Sequence, residues 1–230
     1  MSQEVTTHCH GGILLRSLRQ NGGHGAVISG PSLLVDKILS ITESRNIAEL
    51  VGTKLGGSIS AFPSLSAAAS LSDQQAKMYL VLFPRDAHLP VIHRSPRIGL
   101  DLSHPTVSPQ RNNPRVIYIS KLYRYFVRPK LLKANGRCHT LIGLHLEQAA
   151  KVGTDNPLQN NSALIRHLME AMALGRTTVQ KYIDDYAEGF ANKSLAEYVG
   201  TAGKGASSNP KMFMKMMGVL LRMELLTAND

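Results

Sequence analysis

The chain has 230 residues, is 43% hydrophobic and only 18% charged, and carries a formal net charge of +10. That balance excludes a charge-swollen disordered polymer, which needs few apolar residues and many charges. The length suffices for a substantial core in one or two domains. The excess of cations points to a polyanionic partner, nucleic acid before an anionic membrane, against the plainer reading of a soluble protein with a basic surface.

Residues 1–31 are rich in Gly and His and read as a flexible, loop-rich arm with a short apolar piece at 13–15. Leu33, Leu34, Lys37, Ile38 and Ile41 fall at helical spacing, and a second helix is expected from Ser44 through Leu50, ending near Gly52. The small, polar stretch after it reads as a loop leading into a helix from about Leu65. "MYLVLF", 78–83, is the first strand candidate and "RVIYIS", 115–120, the second. Pro84, Pro90, Pro96, Pro105, Pro109 and Pro114 lie between them, so this stretch reads as extended connection beside a subdomain boundary. From Pro129 onward helices are expected at 141–152, after an Asn161/Ser162 cap and up to Gly175, and from a Thr cap at 177. "SLAEYVG" adds another turn or two. Asn209 followed by Pro210 marks the start of a last helix. The expected fold is mainly α with a small β component in the N-terminal half. Its expected parts are the arm at 1–31, an N-terminal lobe at 32–110, a basic segment with a C-terminal helical lobe at 111–208, and a C-terminal helix or arm at 209–230.

The two cysteines, Cys9 and Cys138, are too few for a disulfide framework, which suits a reducing compartment, cytoplasmic or nuclear. "MSQEVTTHCHGG" lacks a basic region followed by an apolar run, so no signal peptide is expected. No segment approaches the ~18 apolar residues of a membrane span.

The most informative stretch is 112–139. No acidic residue lies between Asp101 and Glu147, while Arg111, Arg115, Lys121, Arg124, Arg128, Lys130, Lys133 and Arg137 do. Cations of this kind neutralise phosphates and release counterions. Tyr123 and Tyr125 add faces on which single-stranded bases stack, at ~1–3 kcal/mol per base. If residues 116–126 are one strand, Lys121, Tyr123 and Tyr125 share a face with Ile117 and Ile119, opposite Arg124 and Phe126. The competing reading buries Tyr118, Tyr123 and Phe126 in the core, with the cations snorkelling outward.

Other features carry less. Met212, Met216, Leu220 and Met223 form an apolar face of the last helix, suited to docking on the core or on a neighbouring subunit. "HCHGG" sets His8, Cys9 and His10 side by side without a second cluster at zinc spacing, and no metal or cofactor is expected. "GGHGAVISG" lacks the Gly-Lys-Ser/Thr of a phosphate-binding loop. No nucleophile–base set stands out, so no enzyme activity is expected. The runner-up is a DNA-binding regulator of helix-turn-helix type, with Gly175 in the turn, Thr177 to Ile183 as recognition helix, and Gln180 and Lys181 as readers.

Two pieces carry a family resemblance. "GGHGAVISG", 22–30, is similar to the glycine-rich N-terminal arm of the nucleoproteins of negative-strand RNA viruses, the paramyxovirus-like group. "KYIDDYAEGFANKSLAEYV", 181–199, resembles that group's Tyr-Ile-x-Asp/Glu-Ala-Gly-Leu-Ala-Ser-Phe helical stretch, with extra residues between Asp185 and Leu195. The resemblance implies a bilobed helical protein, RNA in a basic cleft, and terminal arms exchanged in a helical polymer. The expectation is therefore a nucleocapsid or coat-type protein that binds single-stranded RNA and self-assembles as a homo-oligomer, in virion and host cytoplasm.

Overall fold

The structure, a computed structural model, describes residues 14–19, 27–55, 90–104, 108–110, 112–132, 136–152, 162–192 and 194–227. The expected strand at 78–83 and the helix from Leu65 lie outside them. The described residues are mainly helical, with seven α-helices and a small two-stranded sheet component. The chain divides into two compact units, Met1–Leu89 and Pro90–Asp230. The division falls within the proline-rich stretch, and the chain after Pro90 goes with the second unit, where residues 93–95 pair with 124–126.

In the first unit, β1 (Ser17–Leu18) pairs antiparallel with β2 (Ile28–Ser29). Helix α1 (Pro31–Ile41) follows at once, with Pro in its first turn and Leu34 buried. Within the segment read as an arm, the described residues 17–18 and 28–29 are thus paired. Helix α2 (Ile47–Lys54) begins later than expected because Asn46 is its cap: the Asn46 side chain accepts from Glu49 N at 2.9 Å. Ser44 is instead buried in the preceding turn, 3.1 Å from Thr42 Oγ1.

The second unit opens with β3 (His93–Ser95), short helix α3 (Pro114–Ile119) and β4 (Arg124–Phe126). The expected strand at 115–120 is therefore a helix. Pro114 sits in its first turn and Asn113 Oδ1 accepts from Arg115 N at 3.0 Å, a side-chain cap that commits the chain to helix. Val116 and Ile119, three residues apart, turn inward and Ile117 and Tyr118 outward. A true strand would have put Ile117 and Ile119 on one side.

Helices α4 (Arg137–Val152), α5 (Ser162–Met172), α6 (Arg176–Ala191) and α7 (Pro210–Thr227) build the core, joined by 3-10 turns at Ala196–Tyr198 and Gly200–Gly203. Helix α6 starts from Gly175, which has extended backbone and no capping side chain, so the expected Thr cap is absent. Helix α7 starts as Asn209-Pro210 foretold, with Asn209 Oδ1 accepting from Met212 N at 3.2 Å. The core gathers Leu141, Leu144, Leu168, Val179, Ile183, Tyr186, Phe213 and Met216 from all four. Gly189 and Gly218 bring α6 and α7 into backbone contact: a Cβ on Gly189 would lie 1.9 Å from Lys215 O, and one on Gly218 2.1 Å from Tyr186 O. An ion pair between Lys215 and Glu188 bridges the two helices and holds the Glu188 carboxyl below its ordinary range.

This packing decides between the two expectations for the apolar face of the last helix. Met216 and Leu220 are buried in the chain's own core, with Met212 and Met223 half-buried against it. The apolar face is spent on α6 and its neighbours, and residues 209–227 belong to the second unit rather than to a separate arm.

Candidate nucleic-acid interface

The β3–β4 pair sets the frame. Its register places His93 opposite Phe126, Arg94 opposite Tyr125, and Ser95 opposite Arg124. Alternation along strands sends neighbours to opposite faces. Ser95 and Phe126 turn into the core, while Arg94 and Tyr125 turn outward as an exposed cross-strand pair. Helix α4 lies directly beneath, and only a glycine at 143 fits there, since a Cβ would meet Arg94 O at 2.0 Å. Glu147 fastens the strand to that helix, one oxygen accepting from Arg94 N at 2.8 Å and the other 2.9 Å from His93 Nδ1. His93 in turn stacks on Phe126.

Three tyrosines stand out of this surface. Tyr118, Tyr123 and Tyr125 are 52%, 53% and 63% exposed. The reading that buries Tyr118 and Tyr123 therefore fails, although Phe126 is core as it held. Tyr118 and Tyr123 approach each other, ring centres 6.4 Å apart and tilted by 38°. Among the cations, Arg115, Lys121, Arg128, Lys130 and Arg137 are exposed. Arg128 has a left-handed backbone, φ 52°, just before the 3-10 turn Pro129–Leu131. Arg111 and Lys133 lie outside the described residues.

Arg124 is different, and its expected role is corrected here. Its Nη1 donates to Thr140 Oγ1 at 2.9 Å and Ser95 Oγ at 3.2 Å, and its guanidinium sits over the Phe126 ring at 4.9 Å. It ties β4 to β3 and to the start of α4 instead of standing free for a phosphate. Conversely, sequence reasoning passed over Tyr118, Arg94 and Arg97, all exposed. The cluster "HRSPR", 93–97, was the available signal for the two arginines. The Asn113-Pro114 start was the signal for Tyr118, because helical phase sets it one turn beyond Arg115.

Below this surface lie Cys138 and His139, Sγ and Nδ1 3.4 Å apart. Burial pushes the Cys138 thiol up to about 11 and the His139 imidazole down to about 3. At neutral pH the pair is an uncharged thiol and an uncharged ring, stacked on Phe213 at 3.8 Å, and offers no thiolate nucleophile. Among the described residues, no group of three His, Cys, Asp or Glu comes together as a metal site requires. Nor, among them, is any helix long and apolar enough to cross a membrane.

No family, no curated protein and no solved structure matches the chain. The geometry of this surface therefore carries the functional argument alone.

Proposed function

We propose that the protein is a nucleocapsid or coat-type protein that binds single-stranded RNA without sequence preference, self-assembles on it, and has the two-lobed architecture of the viral nucleoproteins it resembles. One observation supports this above the others. Tyr118 and Tyr123 are exposed beside each other, Tyr125 is exposed opposite the exposed Arg94 across the strand pair, and Arg115, Lys121, Arg128, Lys130 and Arg137 are exposed along the same stretch of chain. Large aromatics left in water in a stretch rich in exposed cations suit a ligand with both bases and phosphates. Nearby acids are occupied elsewhere: Glu147 holds β3, and Glu224 accepts from Ser120 Oγ at 3.1 Å. The protein acts by binding, not by catalysis. With Met216 and Leu220 inside the fold, assembly runs through other surfaces.

The test is purification without nuclease. The expected product absorbs as a nucleoprotein, releases RNA on extraction, and forms rings or filaments in the microscope. A clean monomer with a protein-like spectrum and no affinity for added RNA at low salt would reject the proposal. Replacing two of Arg115, Lys121, Arg128 and Lys130 by glutamine should weaken binding to every sequence and flatten the log affinity–log salt slope by ~0.7 per lost contact.

A second reading keeps one observation in its favour. Only residues 173–175 separate α5 from α6, a connection as tight as that of a helix-turn-helix, and Lys181 is exposed on the second helix. Gln180, however, donates to Asp184 at 2.8 Å, which occupies part of its amide. This reading predicts a preference for duplex DNA with a defined site, lost in Lys181→Ala.

A further inference from the structure

The first turns of α6 and α7 line one open cleft of about 380 Å³. Thr177, Thr178 and Lys181 come from one helix, Pro210 and Lys211 from the other. A second cleft of about 430 Å³ shares Tyr182 and Pro210 with it and reaches the start of α4 at Arg137, one of the exposed cations of the basic stretch. Two helix N-termini facing one cleft place two positive partial charges there. Helix α6 has no capping side chain to occupy its end.

Helix ends and lysines alone make no site, but a buried group in the same wall asks for a ligand. Asp185 is 7% exposed, and among the described residues its Oδ2 has no hydrogen-bond partner. A desolvated carboxylate oxygen without a donor is costly. Burial raises the Asp185 pKa, against the pull of Lys211, Lys215 and Lys181. Lys215 is already paired with Glu188, whereas Lys181 and Lys211 are exposed on flexible stems.

These groups select among ligands. A bare anion suits the lysines but is repelled by Asp185. A bare cation suits Asp185 but is repelled by two lysines and two helix ends. The fitting ligand carries an anion and a hydroxyl donor close together. We propose that this cleft is a ribonucleotide subsite, in which a phosphate engages Lys181 and Lys211 and the ribose 2′-hydroxyl donates to Asp185. The 2′-hydroxyl is what separates RNA from DNA, so the cleft gives the protein a preference for RNA that its tyrosine surface, which stacks any base, does not supply. The inference rests on the RNA-binding reading for its ligand class.

The test compares short oligouridylate with its 2′-deoxy counterpart by fluorescence anisotropy on the full chain. Wild type should hold the RNA about tenfold more tightly, the worth of one hydrogen bond to a charged acceptor. Asp185→Asn should bring the two polymers within about twofold of each other, because it removes the acceptor that only the ribose hydroxyl uses. Lys211→Gln, at an exposed position, should weaken both. Equal binding of RNA and DNA by wild type overturns the subsite while leaving the RNA-binding reading standing. An undiminished preference in a folded Asp185→Asn variant does the same. Binding of neither polymer overturns both. Uridine and deoxyuridine monophosphate, titrated onto wild type and followed by backbone amide shifts, decide the point without a variant. Larger shifts at 177–185 and 209–211 for the ribonucleotide support the subsite; equal shifts, or shifts elsewhere only, overturn it.

Discussion

Arg124 and Arg128 stand in one basic run and serve different ends. Arg124 spends its guanidinium on Thr140, Ser95 and the Phe126 ring, so it belongs to the fold. Arg124→Ala should lower unfolding free energy by about 1–3 kcal/mol, since it removes two hydrogen bonds to hydroxyls and a cation–π contact. A variant that unfolds like wild type in urea but fails to bind RNA would reverse that assignment. Arg128 is exposed, and its φ of 52° is one that glycine adopts without steric cost. Arg128→Gly should therefore keep the thermal midpoint while flattening the salt dependence of RNA binding by ~0.7. Tyr123 and Tyr125 are exposed enough that alanine at either costs at most about 0.5 kcal/mol of stability. The same changes should cost ~1–3 kcal/mol of RNA affinity for each base they stack. Leucine at both positions separates stacking from mere apolar contact: full affinity in the Leu variants would reject stacking.

At the scale of elements, legibility followed local chemistry. The start of α7 was readable because Asn209-Pro210 is a complete local signal. The same pair at Asn113-Pro114 was outweighed by the β-branched run "RVIYI", and the wrong period then misassigned which side chains face out. Tyr123 and Tyr125, both exposed, could be singled out because charge and aromatic content survive a wrong secondary structure. Arg124 was misjudged because its partners, Ser95 and Thr140, are distant in sequence and no local pattern announces them. The closest helix contact was equally silent. Gly189 and Gly218 look like helix-weakening residues, yet each admits the other helix's backbone. Gly218→Ala should destabilise by about 3 kcal/mol or more, because its neighbours at 2.1 Å and 2.6 Å are the Tyr186 and Phe190 backbone and cannot rotate away. Urea unfolding measures this directly. A loss under about 1 kcal/mol, the ordinary gain of Ala over Gly in a helix being of that size, would mean that the helices slide apart freely.

At the scale of the molecule, the cationic surface and the buried core respond oppositely to acid. Protonation adds positive charge and so favours a polyanion. The core, however, holds His139 neutral down to about 3, while a histidine in the unfolded chain titrates near ~6.5. Between those values the unfolded chain takes up a proton that the folded one refuses. Stability is therefore unaffected by this group above ~6.5 and falls as the pH drops below it, by up to about 1.4 kcal/mol per pH unit. Two acids act lower down, with opposite signs. Glu188, held low by Lys215, contributes stability above the ordinary carboxylate range that is lost as pH falls. Asp185, raised by burial, keeps its proton longer in the fold, so its contribution falls as pH rises through that range. As pH falls Glu188 acts in the same sense as His139 and Asp185 in the opposite sense. The urea midpoint should thus decline from about pH 7 to about pH 5. His139→Phe, which preserves a ring against Phe213, should visibly flatten the decline. Identical pH profiles for the two proteins would show that the buried imidazole is not what acid attacks. Bound RNA opposes the loss by mass action, since it stabilises whichever state it binds. Single-stranded RNA should then raise the thermal midpoint most at low salt, where phosphate contacts are strongest, and the increment should shrink as salt is added.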